Sequence, residues 1–124
     1  VVVENGVITA VGNRDNTVIP KNAVIIDAGG RTVMPGLIDA HMHIDLVGHG
    51  SYARLYEFMN GMERLEDFMT IAAKQMLRAG VTTGLDLGAP LLAFDFRERV
   101  RRGEVPGPRL LLSGPWITRI DYDT

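Results

Sequence analysis

Hydrophobic positions along the chain change their spacing at Pro35. Before it, apolar residues come in short runs separated by polar turns, which is a β pattern. Val1-Val2-Val3-Glu4, Asn5-Gly6 and Val7-Ile8-Thr9-Ala10-Val11 predict a hairpin, because Asn-Gly readily supplies the two positive-φ residues of a tight turn. Val24-Ile25-Ile26-Asp27-Ala28 predicts another strand, and Gly29-Gly30 a turn into Arg31-Thr32-Val33-Met34. Short strands with polar turns suit a small antiparallel sheet or sandwich over residues 1–34.

Beyond Pro35-Gly36 the pattern alternates between strand and helix. Leu37-Ile38-Asp39-Ala40 predicts a buried strand, and a helix is expected within residues 51–60. A clearer helix is predicted from Met62 to Ala79. There Leu65, Phe68, Met69, Ala72 and Met76 fall at i, i+3, i+4, i+7 and i+11, on one face. Gly80 stands where a C-terminal cap belongs. Val81-Thr82-Thr83-Gly84-Leu85-Asp86-Leu87 predicts the next strand. Pro90 opens a second helix, with Leu92, Phe96 and Val100 as its apolar stripe. Arg97, Arg99, Arg101 and Arg102 form its solvated side, and Gly103 ends it. Arg109-Leu110-Leu111-Leu112-Ser113 predicts a continuous apolar strand. The order β-α-β-α-β argues for an α/β fold with a parallel sheet. Three strands cannot close a barrel; an eight-stranded β/α barrel takes about 250 residues. The expected architecture is a partial β-sandwich over residues 1–34, then the first β/α units of an incomplete TIM barrel over residues 35–124.

Composition narrows the function classes. The chain has 124 residues, 46% hydrophobic and 23% charged, with a formal net charge of −2. That balance gives no electrostatic case for nucleic acid or an anionic membrane. No apolar run reaches the roughly 18 residues a bilayer span needs. Cysteine is absent, so disulfides and thiolate ligands are excluded. No basic segment followed by an apolar one stands at the start, so a cytoplasmic location is expected. The chain opens on Val1 rather than Met and closes on Asp121-Tyr122-Asp123-Thr124 without a cap. We expect it to be a segment of a longer protein, in which an upstream leader stays an open alternative.

The chemistry concentrates in Pro35-Gly36-Leu37-Ile38-Asp39-Ala40-His41-Met42-His43-Ile44. Residues two apart on a strand share a face, so His41 and His43 are predicted to project side by side from one strand end. Two neutral imidazoles so placed make half a site for a divalent transition metal. The alternative is two partly buried histidines bonded to backbone. In parallel α/β sheets, function collects at the carboxyl ends of the strands. Asp86 ends the second such strand, and Ser113 and Gly114 end the third. Asp39 shares the face of His41, where it either orients a ligand imidazole or bonds neighbouring backbone. Asp86 is a charge in an apolar strand and needs a partner: a substrate, a metal shell, a loop Arg or a helix N-terminus. Asp45 and His49 follow in a loop, His49 either reaching the site or solvated. Thr82 and Thr83 are expected as β-formers, and the Gly-Pro pairs as turns rather than phosphate loops. Ser51 and Ser113 have no evident His partner, which fits a water activated by a divalent metal as the attacking group.

The run Gly36-Leu37-Ile38-Asp39-Ala40-His41-Met42-His43 resembles the first-strand signature of the amidohydrolase superfamily. The segments Val7–Gly12 and Val24–Gly30 resemble its N-terminal β segment. Ala79-Gly80-Val81-Thr82-Thr83 and Gly107-Pro108-Arg109-Leu110-Leu111-Leu112-Ser113-Gly114 resemble its second and third barrel strands. Those last motifs are similar to the imidazolonepropionase-like and prolidase-like (Xaa-Pro and Xaa-Arg dipeptidase) branch. The resemblance implies a hydrolase of C–N bonds in a small-molecule or dipeptide-like substrate, with one or two divalent ions, usually zinc. It implies His41 and His43 as two ligands of the more buried ion. It also implies a carboxylated Lys, two further His and an Asp general base, all beyond residue 124. Many members of this branch carry an Arg before the aspartate of the second strand, where this chain has Leu85. The segment alone is expected to be inactive, because two His fall short of the usual three protein donors of catalytic zinc.

Two other readings stay open at this stage. One is a non-catalytic relative that keeps the fold for binding or assembly. The other is a complete small α/β binding module, against which the exposed sheet edge after Leu112 argues. A homo-oligomer is compatible with each.

Overall fold

The computed structural model describes residues 1–46 and 64–117. The chain divides into two compact units, Val1–Met34 and Pro35–Thr124.

In the first unit, β1 (Val2–Glu4) pairs antiparallel with β2 (Val7–Ala10), and Val3 faces Ile8. Asn5 and Gly6 turn between them with φ of 52° and 77°, the left-handed pair this hairpin requires. A single 3-10 turn at Arg14–Asn16 follows, where the Asn13 side chain accepts the Asp15 N–H at 3.2 Å. Val24–Ala28 and Arg31–Met34, both expected as strands, are irregular. The turn between them does form: Arg31 N–H donates to the Ala28 carbonyl at 3.0 Å. The strands fail for want of a partner. A cleft of about 610 Å³ is lined by Val1–Glu4 on one side and by Ile19, Pro20 and residues 22–26 on the other, and Val24 and Ile26 are each 89% exposed. Apolar side chains favour a pleated surface only where another strand supplies the hydrogen bonds. Among the described residues this unit holds a two-stranded sheet.

The second unit is a parallel sheet of order β3-β4-β5, formed by Leu37–Met42, Val81–Asp86 and Arg109–Leu112. Helices α1 (Leu65–Arg78) and α2 (Leu92–Arg101) make the crossovers. Each helix packs on the sheet and the two touch each other, so both lie on one face. The predicted stripe of α1 is the one that packs: Leu65, Phe68, Met69 and Ala72 are buried, and Met76 lies against the core. Gly80, at φ 85°, ends α1, its N–H donating to the Leu77 carbonyl at 3.0 Å. Helix α2 starts two residues later than Pro90, whose carbonyl accepts the Ala93 N–H at 2.9 Å. Its Arg side is exposed but paired, with Glu98 bridging Arg97 and Arg101, and Arg99 reaching Glu66 on α1.

β3 departs from its expected burial. Ile38 is 71% exposed, and Met42 is the buried residue of the strand. Among the described residues β3 is an outer strand with one paired edge, and both helices lie on the other two strands and each other. β5 is likewise buried only at Leu110. The helix expected within residues 51–60 lies outside the described residues. No helix among the described residues is long and apolar enough to cross a membrane.

Candidate functional site

Three strands end level with one another. Met42 stands opposite Asp86, and Asp86 opposite Leu112. The ladder runs one step further, with Leu87 N–H donating to the Met42 carbonyl at 3.3 Å and Ser113 N–H to the Asp86 carbonyl at 2.9 Å. Every chemical group predicted at a strand end and described here therefore sits along one rim.

His41 and His43 come together on that rim. Their ring centroids are 5.5 Å apart at an interplanar angle of 80°. A bulge between Asp39 and Met42 places three steps of β3 against two of β4. Where the bulge breaks the ladder, Asp39 Oδ1 accepts the His41 backbone N–H at 3.1 Å. Of the two roles open to Asp39, the bond to neighbouring backbone is the one formed. His43 is the first residue past β3 and opens a turn closed by Leu46 N–H on the His43 carbonyl at 3.2 Å. His49 lies outside the described residues.

Asp86 is the charged residue buried in the sheet, 0% exposed. Its Oδ2 accepts the Ile44 N–H at 2.7 Å, and its Oδ1 accepts the Gly88 N–H at 2.9 Å. Two charge-assisted bonds replace the lost water. Oδ1 also lies 3.6 Å from His43 Nδ1. That separation exceeds a hydrogen bond and leaves the Asp86 carboxyl beside the Nδ1 edge of the ring. Among the described residues, no loop Arg and no helix N-terminus takes up Asp86. Nearby, burial pushes the Asp45 carboxyl above its ordinary 3.8. Its own backbone hydrogen bond works against that rise, the Asp86 charge adds to it, and His43 opposes it.

Trp116 is a site residue that sequence reasoning missed. Its Nε1–H donates to the Leu87 carbonyl at 2.7 Å, and its ring stands perpendicular to His43 with centroids 5.5 Å apart. A Cβ on Gly88 would collide with the indole Nε1, so the glycine makes room for the ring. Nothing in the local sequence marks it; only the level strand ends bring residue 116 beside residue 43. Ser113 Oγ donates to the Gly114 carbonyl at 3.2 Å.

The sequence profile described as the amidohydrolase family matches residues 32–124, three quarters of the chain, and includes every rim residue described above. The chain belongs to the amidohydrolase family. It is 40% identical over 90 residues to an enamidase of Eubacterium barkeri, a stretch covering 73% of this chain and 20% of the enamidase. It is 46% identical over 42 residues to an imidazolonepropionase of Bacillus cereus, covering 34% of this chain and 10% of that one. A solved structure described as a prolidase candidate from Bifidobacterium longum superposes with a TM-score of 0.65 at 29% identity, over 88% of this chain and 23% of that one. The expected resemblance to imidazolonepropionase-like and prolidase-like proteins is borne out. The chain spans about a fifth of the length of the enamidase it matches.

The donor chemistry here fits half of a metal centre. Two imidazoles share a rim, one backed by a buried carboxylate. Among the described residues no group of three or more His, Asp or Glu stands close enough to hold an ion.

Proposed function

We propose that this chain is part of a metal-dependent hydrolase that cleaves a C–N bond in a small amide, cyclic amide or dipeptide-like substrate. The observation that carries the reading is the pairing of His41 and His43 at the strand rim, with buried Asp86 behind His43. Family membership supports the reaction class.

In this reading His41 and His43 hold a divalent ion, zinc being the one that suits imidazole donors without redox chemistry. Held there, a divalent ion would supply Lewis-acid chemistry: a polarised carbonyl and a water acidic enough, with a pKa of about 7, to serve as nucleophile at neutral pH. The chain's own contribution is orientation. Asp86 fixes the turn that carries His43 through Ile44 N–H, and its charge holds the Nδ1 proton away from the ligand lone pair. Asp39 secures the His41 backbone across the bulge. The general base and remaining ligands belong to residues beyond 124. The same reading takes Pro35–Thr124 as the opening β/α units of a TIM barrel and Val1–Met34 as part of a β-sandwich domain. The parallel order and the one-sided helical cover support it.

Metal analysis of the protein that carries this chain tests the proposal. Wild type should retain about one or two ions per chain after dialysis, and His41→Ala and His43→Ala should lose most of that metal together with amide hydrolysis. Equal metal in all three proteins would sink it.

A further inference from the structure

We propose that Trp116 is a positioning residue for His43: its indole is a brace, hooked to the Leu87 carbonyl, that stops the imidazole from swinging away from Asp86. The inference rests on the proposed role of His43 and adds a residue to it. Three contacts converge on the His43 ring. His41 stands edge-on at 5.5 Å, Asp86 Oδ1 lies 3.6 Å from Nδ1, and Trp116 stands perpendicular at 5.5 Å. Asp86 attracts one atom of the ring but lies beyond hydrogen-bond length, so it alone leaves rotation about the Cβ bond weakly restrained. A perpendicular aromatic neighbour at this distance is an attractive geometry with a preferred orientation. A brace must itself be fixed, and the indole is: Nε1–H is bonded at 2.7 Å, although the residue is 62% exposed. An exposed Trp with no task gains little from that bond, since water would satisfy the N–H equally well. The bare Cα of Gly88 leaves the space the indole nitrogen fills. Trp116 thus ties the segments after β4 and β5 to the residue that follows β3.

The test uses the protein that carries this chain, labelled with 15N, with Zn2+ alone as the probe. In metal-free wild type, long-range 1H–15N correlation of the His43 ring should show one tautomer with the proton on Nδ1. Trp116→Ala should average the two ring nitrogens and weaken Zn2+ binding by about 2- to 10-fold in competition with a chromophoric chelator. Trp116→Phe keeps an aromatic edge without the hook and should fall between. Gly88→Ala, which evicts the indole without touching His43, should match Trp116→Ala, and the double variant should be no worse than either. A simple loss of stability would not move the His43 tautomer. Wild-type ring signals and Zn2+ affinity in both Trp116→Ala and Gly88→Ala would overturn the brace. The site reading fails separately: if His43→Ala leaves Zn2+ affinity unchanged, the metal proposal falls, while the metal-free ring signals still judge Trp116.

Discussion

Replacing Asp86 by Asn changes one atom and should disrupt the whole rim. The carboxylate is 0% exposed and uses both oxygens, Oδ2 on Ile44 N–H at 2.7 Å and Oδ1 on Gly88 N–H at 2.9 Å. An amide keeps one acceptor oxygen, so one of those N–H groups must face an NH2. A hydrogen bond to a charged acceptor contributes about 1.5–3 kcal/mol, and a buried donor left unpaired costs about 1–3 kcal/mol. The two figures overlap in part, so Asp86→Asn should destabilise by about 2–4 kcal/mol. Asp86→Ala strands both donors and opens a void, for about 3–5 kcal/mol. Urea denaturation measures the loss. With a slope of about 2 kcal/mol per molar, the Asn midpoint should fall by about 1–2 M. Amide hydrogen exchange locates it, because the Ile44 and Gly88 amides should lose protection more than those within α1. A midpoint unchanged from wild type, with both amides still protected, would refute the claim that this carboxylate holds the rim together.

Two smaller tests address packing and charge. Gly36→Ala should cost more stability than Gly84→Ala, because the new Cβ at 36 meets Thr82 down to its Cβ, whereas at 84 it meets the flexible ends of Met42 and Met76; overpacking of this kind costs about 1–3 kcal/mol, and thermal melts that reverse the order would contradict the reasoning. Glu98 and Glu104 are held below the ordinary 4.5, first by hydrogen bonds from Arg101 and Arg102. Their folded values are depressed, so whatever stability they contribute is present above 4.5 and lost as pH falls through the lowered values. Carboxyl 13C titration should show Glu104 returning toward 4.5 in Arg102→Ala, and no movement would deny the pairing.

The second unit was largely legible because its signals are local. The α1 stripe, the Gly80 cap and the apolar run of β5 each depend on residues within a few positions of one another, and each formed close to where the pattern placed it. The Asn5-Gly6 hairpin follows the same logic. Val24–Ala28 misled because strand formation is not local: β-branched composition cannot supply the neighbour that a ladder needs. The buried reading of Leu37-Ile38 failed similarly, since apolar identity does not reveal which strand lies at an edge. At the site, the spacing of His41 and His43 foretold their approach, and Asp86 was marked by its charge between Leu85 and Leu87. What it binds was hidden, because backbone N–H groups carry no residue signature. Trp116 and Gly88 carried no such mark, because their meeting depends on the register of three strands.

Ile44 and Ala89 flank the rim on the β3 and β4 sides, and both are fully buried in the hydrophobic cluster that also contains Met69 and Phe96. The core thus reaches within one residue of His43 and three of Asp86, so heat that loosens it will also loosen the strand ends that carry them. Variation that retunes this end of the sheet will carry a toll in durability, and lineages exploring new substrates would find safer ground in loops farther from residue 44.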